Sequence, residues 1–128
     1  MKVLVYVDDE PALCRIVARV LARTGARVHT FTDPREALAF LQTTVVDAVI
    51  SDYRMPEMTG IELLQQLARD VPFFIISGDL WILDEVGHIP RVTGVLQKPV
   101  RPEELLEAIA RATSRVPSSP DAGPPEAT

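Results

Sequence analysis

A doubly wound α/β sandwich is the fold class that three features of the sequence predict. Five short apolar or β-branched runs are spread along the chain, segments of helical period lie between them, and the two kinds of segment alternate five times. Near-continuous apolar strands joined by helical crossovers call for a parallel sheet covered on both faces.

Lys2 to Val7 (KVLVYV) forms the first strand, and Arg27 to Phe31, Asp47 to Ser51, Phe73 to Ser77 and Thr93 to Gln97 are read as the other four. Between the first two, Leu13, Ile16, Val17, Val20 and Leu21 trace the apolar stripe of an amphipathic helix, with Pro11 in its first turn. Asp33, Pro34 and Glu36 occupy Ncap, N1 and N3, so a second helix opens on a capping box and runs to about Leu41. Thr59 and Glu62 repeat that box ahead of a third helix, which carries Ile61, Leu64, Leu67 and Ala68. The fourth helix has only Asp79 to Val86 (DLWILDEV) before Gly87 and Pro90 interrupt it. Pro102 opens the last helix, with Leu105, Leu106 and Ile109 facing inward.

The chain has 128 residues, 47% of them apolar and 24% charged, which suits one globular domain able to bury a core without staples. That domain is read over residues 1–116. Residues 117–128 (PSSPDAGPPEAT) hold four prolines and almost nothing apolar, the composition of a disordered tail or of a linker to a further domain. Thirteen basic against eighteen acidic side chains give a net charge of -5, which argues against direct nucleic-acid binding. Protein or small-ligand partners remain. Cys14 is the only cysteine, so no internal disulfide, cysteine zinc site or CxxC redox pair can be built, and a reducing compartment is expected. The run Val3 to Val7 stops at Asp8, too short for a signal-peptide core, and no stretch approaches the ~18 apolar residues of a membrane span. A cytoplasmic protein without a membrane partner is the expectation.

In a doubly wound sheet, ligands bind outside the carboxyl ends of the strands. The first strand ends in Asp8 and Asp9, the third runs into Asp52, the fourth into Ser77 and Gly78, and the fifth into Lys98 and Pro99. Each residue alone has a plainer role: Asp9 and Ser77 as helix caps, Asp52 as a turn residue, Lys98 as a surface charge. Together they are harder to dismiss, because three carboxylates crowded at one edge repel one another and need a reason to be there. Oxygen ligands of this kind suit Mg²⁺, which binds through a few carboxylates and leaves positions for water and phosphate. A carboxylate beside such an ion can attack a phosphoryl group and become an acyl phosphate, with Lys98 neutralising the oxygens. Asp52, on the central strand, is the expected nucleophile.

The segments VDDE (Val7 to Glu10), SDYRMPEMTG (Ser51 to Gly60), ISG (Ile76 to Gly78) and QKPV (Gln97 to Val100) occur in order and at suitable spacing. Over about Lys2 to Arg115 the chain resembles the receiver domains of bacterial two-component response regulators. The resemblance implies a flavodoxin-like (βα)5 fold with strand order 2-1-3-4-5. It implies that Asp52 is the phosphoacceptor, and that Asp9, Asp52 and the backbone carbonyl of Arg54 bind Mg²⁺, with Asp8 acting through water. Ser77 and Lys98 would bind the phosphoryl oxygens, and the Lys98–Pro99 bond would be cis. The partners implied are a sensor histidine kinase or phosphotransfer protein and a downstream effector protein, with a homodimer as a further form. With few residues left after the receiver, the chain reads as a stand-alone regulator or an excised receiver, a signalling switch that catalyses only its own phosphorylation and dephosphorylation.

Receivers of this family switch by moving the hydroxyl onto the phosphoryl group while an aromatic residue on the fifth strand turns inward. Three residues before Lys98 this sequence has Val95, so no aromatic lever is available there. Two other classes therefore stand beside the leading one. A receiver-fold binding module that signals without phosphate accommodates Val95. A hydrolase with an aspartyl-phosphate intermediate, of the dehalogenase-like phosphatase kind, requires a second acid two residues after the nucleophile, where Arg54 stands. Arg54 and Asp79 lie two residues past Asp52 and Ser77 and are expected as a pair that sets the acyl-phosphate lifetime. Trp81 is read as core or partner contact, and His88, beside glycine and proline, is given no role.

Overall fold

Each strand is short because only four or five residues of β-forming character precede a polar residue or a turn. The computed structural model describes residues 1–113. Its strands are β1 (Val3–Val7), β2 (Arg27–Phe31), β3 (Ala48–Asp52), β4 (Phe73–Ser77) and β5 (Gly94–Gln97). They alternate with α1 (Pro11–Ala22), α2 (Pro34–Thr43), α3 (Gly60–Gln65), α4 (Leu80–Val86) and α5 (Pro102–Thr113). All pairings are parallel and the sheet order is β2-β1-β3-β4-β5, the flavodoxin-like arrangement. The boundary expected at residue 116 and the proline-rich stretch 117–128 lie outside the described residues.

The period of two along the strands sorts the core into two layers. Val5, Val7, Val49, Phe73 and Ile75 face α2, α3 and α4 through Ala37, Leu41, Leu63, Leu64, Leu83 and Val86. Leu4, Tyr6, Ile50, Phe74 and Ile76 face α1 and α5 through Cys14, Val17, Leu21, Leu105 and Ile109. β3 and β4 are buried along their whole length, whereas β5, at the sheet's edge, alternates between half-buried and exposed.

Several sequence expectations shift for local physical reasons. Strand β3 begins after Asp47, whose amide still donates to the Val3 carbonyl at 2.8 Å but whose carboxylate, in place of a backbone carbonyl, accepts the Val3 amide at 2.7 Å. Likewise Thr93 precedes β5, its hydroxyl accepting the Phe73 amide at 2.9 Å. On α1 the buried face runs through Cys14, Val17, Val20 and Leu21 rather than through Ile16, which is 58% exposed; Cys14 lies three and seven residues before Val17 and Leu21, on the same face, and its thiol meets the Asp8 carbonyl at 3.3 Å. Asp33 caps α2 through the Arg35 amide, but only Thr59 and Glu62 form a complete capping box. Helix α3 ends before Leu67 and Ala68: Gln66 and Leu67 donate to Leu63 and Leu64 in a tight last turn, and Arg91 pulls the Leu67 and Arg69 carbonyls outward. Leu67 stays buried while Ala68 is exposed. Trp81 is not core, being 70% exposed on the outer face of α4. Among the described residues no helix is long and apolar enough to cross a membrane.

Candidate functional site

Parallel strands end at one edge, and hydrogen bonds just past their ends extend the ladder and fix the register of the loops. Asp8 donates its amide to the Phe31 carbonyl, Tyr53 to Ile76 and Lys98 to Ser77, at 2.8 to 3.0 Å. Asp8 therefore follows β1, Asp52 closes β3, Ser77 closes β4 and Lys98 follows β5 along a single edge. Asp8 is fully buried and Asp52 is 6% exposed, while Asp9 faces solvent.

The Lys98 ammonium bridges the two buried acids, 2.9 Å from Asp52 Oδ2 and 3.5 Å from Asp8 Oδ2. The Lys98–Pro99 peptide is cis. Asp8 is held on both oxygens: Oδ1 accepts the Glu10 amide at 3.0 Å, and Oδ2 accepts the Tyr6 hydroxyl at 2.7 Å. One carboxylate oxygen from each of Asp8, Asp9 and Asp52 lies within 4.8 Å of the other two. Three acids against one ammonium leave excess negative charge, and the donors are all hard oxygens. The residues thus fit a small divalent cation of the Mg²⁺ class.

The electrostatics carry the same imprint. Burial, followed by the charges of Asp8 and Asp9, outweighs the Lys98 hydrogen bond and raises the Asp52 carboxyl above the ordinary range. For Lys98, burial would lower the ammonium, but the bond and charge of Asp52 together with Asp8 prevail and raise it. Burial and the bond to Asp8 push the Tyr6 hydroxyl well above its usual value, so it remains a donor.

Asp9 and Arg54 border a cavity of about 340 Å³ with Tyr53, Met55, Pro56 and Thr59. The Arg54 guanidinium reaches Asp79 at 3.9 Å, an exposed ion pair at the mouth of the site. Ser77 reaches the same edge, but its hydroxyl accepts the Asp79 amide at 3.0 Å and so belongs to the turn into α4, where Asp79 caps Trp81 and Ile82. An accepted N–H leaves that O–H available to donate. His88 follows α4 and is exposed, away from this group.

Two contributors were not singled out from the sequence. Tyr6 precedes Asp8 by two residues, so strand periodicity points both side chains the same way, and that spacing was the available signal. Gly60 closes the segment SDYRMPEMTG, but nothing in that segment shows why a glycine stands there: an added Cβ would lie 2.7 Å from the Asp52 carbonyl oxygen and 2.8 Å from Ile75 Cδ1, a close approach created by the folded loop.

Comparison with known proteins bears on this arrangement. The family model for the response regulator receiver domain matches residues 3–110. The transcriptional regulatory protein GlrR of Escherichia coli is 36% identical over 83% of this chain and 25% of its own length. The cyclic di-GMP phosphodiesterase response regulator RpfG of Xanthomonas campestris is 34% identical over 80% of the chain and 29% of its own length. The chain spans only part of such relatives, from 19% of the length of the two-component response regulator ARR21 of Arabidopsis thaliana to 57% of the response regulator protein TmoT of Ectopseudomonas mendocina. Among solved structures, chemotaxis response regulator CheY4 of Vibrio cholerae superimposes with a TM-score of 0.77 at 33% identity, covering 88% of this chain and 98% of that one. With the parallel 2-1-3-4-5 sheet, the acidic edge and a family model matched along most of its length, the chain belongs to the response regulator receiver domain family.

Proposed function

We propose that residues 1–116 form a phosphorylation-controlled signalling module that takes a phosphoryl group on Asp52 from a sensor histidine kinase or phosphotransfer protein. The observation that carries this reading is the Lys98 ammonium, 2.9 Å from Asp52 Oδ2 beside two further carboxylates. An Asp52 oxygen forms the bond to phosphorus while the phosphorus–nitrogen bond of the donor phosphohistidine breaks, and the leaving imidazole keeps the electron pair and takes up a proton. Lys98 remains paired to the oxygens that carry the transferred charge, and Ser77 donates its O–H to one of them. Asp8, Asp9, Asp52 and the Arg54 carbonyl would hold Mg²⁺, which when bound supplies positive charge to the phosphoryl oxygens. Burial of Asp8 and Asp52 excludes water from one side, so hydrolysis is reached from the Arg54 and Asp79 side.

The reaction is self-modification rather than turnover of a metabolite, and the output is binding to an effector protein or to a second copy of the chain, in the cytoplasm. Intact-mass measurement after incubation with acetyl phosphate and Mg²⁺ tests the proposal. A single phosphoryl adduct, absent in Asp52→Ala and suppressed by a chelator, is expected. No adduct in the wild type would overturn it.

A second reading, a receiver-fold module that binds its partner without phosphate, is favoured by Val95, which lies 37% exposed on β5 with no aromatic ring to turn inward. It is distinguished by partner affinity before and after phosphorylation. Equal affinities favour it, and loss of output in Asp52→Ala excludes it.

A further inference from the structure

Tyr6 is 1% exposed and sits in the core layer between the sheet and α1, where a phenylalanine would fill the same space without a polar atom to satisfy. Its hydroxyl does not turn to backbone or solvent. It donates to Asp8 Oδ2 at 2.7 Å, shorter than the 3.5 Å from the same oxygen to the Lys98 ammonium. The other oxygen of Asp8 is taken by the Glu10 amide. A fully buried carboxylate thus has three donors within reach, and the closest is a neutral phenol beneath it.

The geometry points to Tyr6 as a positioning residue: by satisfying Asp8 Oδ2 from below, it fixes that carboxylate at the cation site and leaves Lys98 to Asp52. The inference rests on the proposed reading of the site as a Mg²⁺-dependent phosphoacceptor. Without the phenol, a buried anionic oxygen would be short of one charge-assisted hydrogen bond, and the nearest replacement is the Lys98 ammonium. Moving onto Asp8 would draw Lys98 away from Asp52. Partners behind a metal ligand orient it in this way, and removing one commonly costs affinity for the ion.

The test compares wild type with Tyr6→Phe by calorimetric titration with Mg²⁺ and by phosphorylation with acetyl phosphate at saturating Mg²⁺. The variant should melt cooperatively, bind Mg²⁺ about tenfold more weakly, and be phosphorylated more slowly even when saturated, because Lys98 is displaced. A lower melting temperature with Mg²⁺ affinity unchanged within about twofold would reduce Tyr6 to a core residue and overturn the inference. A measurement on the unsubstituted site covers the case of a variant that does not fold. Tyr6 and Tyr53 are the only tyrosines, so fluorotyrosine labelling gives two ¹⁹F signals, assigned with Tyr53→Phe. The Tyr6 signal should move as Mg²⁺ saturates, and one that stays fixed overturns the coupling. Wild-type protein that binds no Mg²⁺ would instead overturn the reading of the site, and this inference with it.

Discussion

The centre of the sheet and its β5 edge are built from the same alternation of strand and helix, yet they differ in how firmly each residue is held. β3 and β4 are buried throughout, and Asp52 at the end of β3 is fixed by Lys98 and by loop hydrogen bonds on either side. β5 has one neighbour strand and a half-exposed pattern, and a cavity of about 810 Å³ lies beside it, lined by Phe74, Gly94, Val95, Leu96 and residues of α5. Gly94 permits this relief, since a Cβ there would press on the Phe74 ring at 3.2 Å. Leu80, Trp81 and Val95 are exposed along α4 and β5. The contrast teaches that precision is concentrated where charge is buried. The site borrows one residue, Lys98, from the looser edge and anchors it through its charge rather than through packing.

The largest expected effect separates the two regions by stability. Ile75→Ala, in the centre of β4, should cost about 2–5 kcal/mol, while Val95→Ala, directly across the strand pair, should stay within about 0.5 kcal/mol. Urea unfolding of both variants checks this, and equal losses would erase the comparison.

Next is Gly60→Ala. Its methyl meets backbone at the Asp52 carbonyl, which cannot swing aside as a side-chain tip could, so about 1–3 kcal/mol of destabilisation is expected. Because the displaced atom belongs to the proposed phosphoacceptor, acetyl phosphate labelling should slow as well. A normal rate would mean that the loop yields without moving Asp52.

The pH response sharpens the same contrast. The Asp52 carboxyl is raised in the folded protein, so the stability linked to its protonation is present below the ordinary carboxylate range and lost as pH rises through the raised value. With divalent cations chelated, Asp52→Asn should flatten that limb of the stability curve, whereas Glu107→Gln, in an exposed pair on α5, should not. Parallel curves for wild type and Asp52→Asn would show that Lys98 offsets the burial in full.

The smallest effect belongs to the exposed Arg54 and Asp79 pair. Replacing both with alanine should leave stability within about 0.5 kcal/mol and change the acyl-phosphate lifetime, read as adduct decay after the phosphodonor is removed. An unchanged decay would detach the pair from hydrolysis.

How far the sequence speaks for the site depends on how local the information is. Asp8, Asp52, Ser77 and Lys98 were legible because each falls at the end of a strand, and parallel strands must end together. Their individual bonds were legible only in part: the Ser77 hydroxyl takes the Asp79 amide at the turn into α4, close to the capping role open to it from the sequence, whereas Tyr6 as the donor beneath Asp8 was not foreseen. Cys14 took the buried place read for Ile16, since Cys14, Val17 and Leu21 share one face of α1 and packing against the sheet decides which of two overlapping stripes turns inward.

The sequence by itself determined the alternation of strands and helices, the complete cap at Thr59 and the edge on which the acids meet, because these follow from periods of two and 3.6 and from turn chemistry confined to a few neighbouring residues. Only the tertiary structure decided that Lys98 prefers Asp52 to Asp8, that Gly60 must lack a side chain, and that Trp81 stays outside the core. Those outcomes depend on distances between residues remote in sequence, where packing against the sheet sets what a side chain can reach.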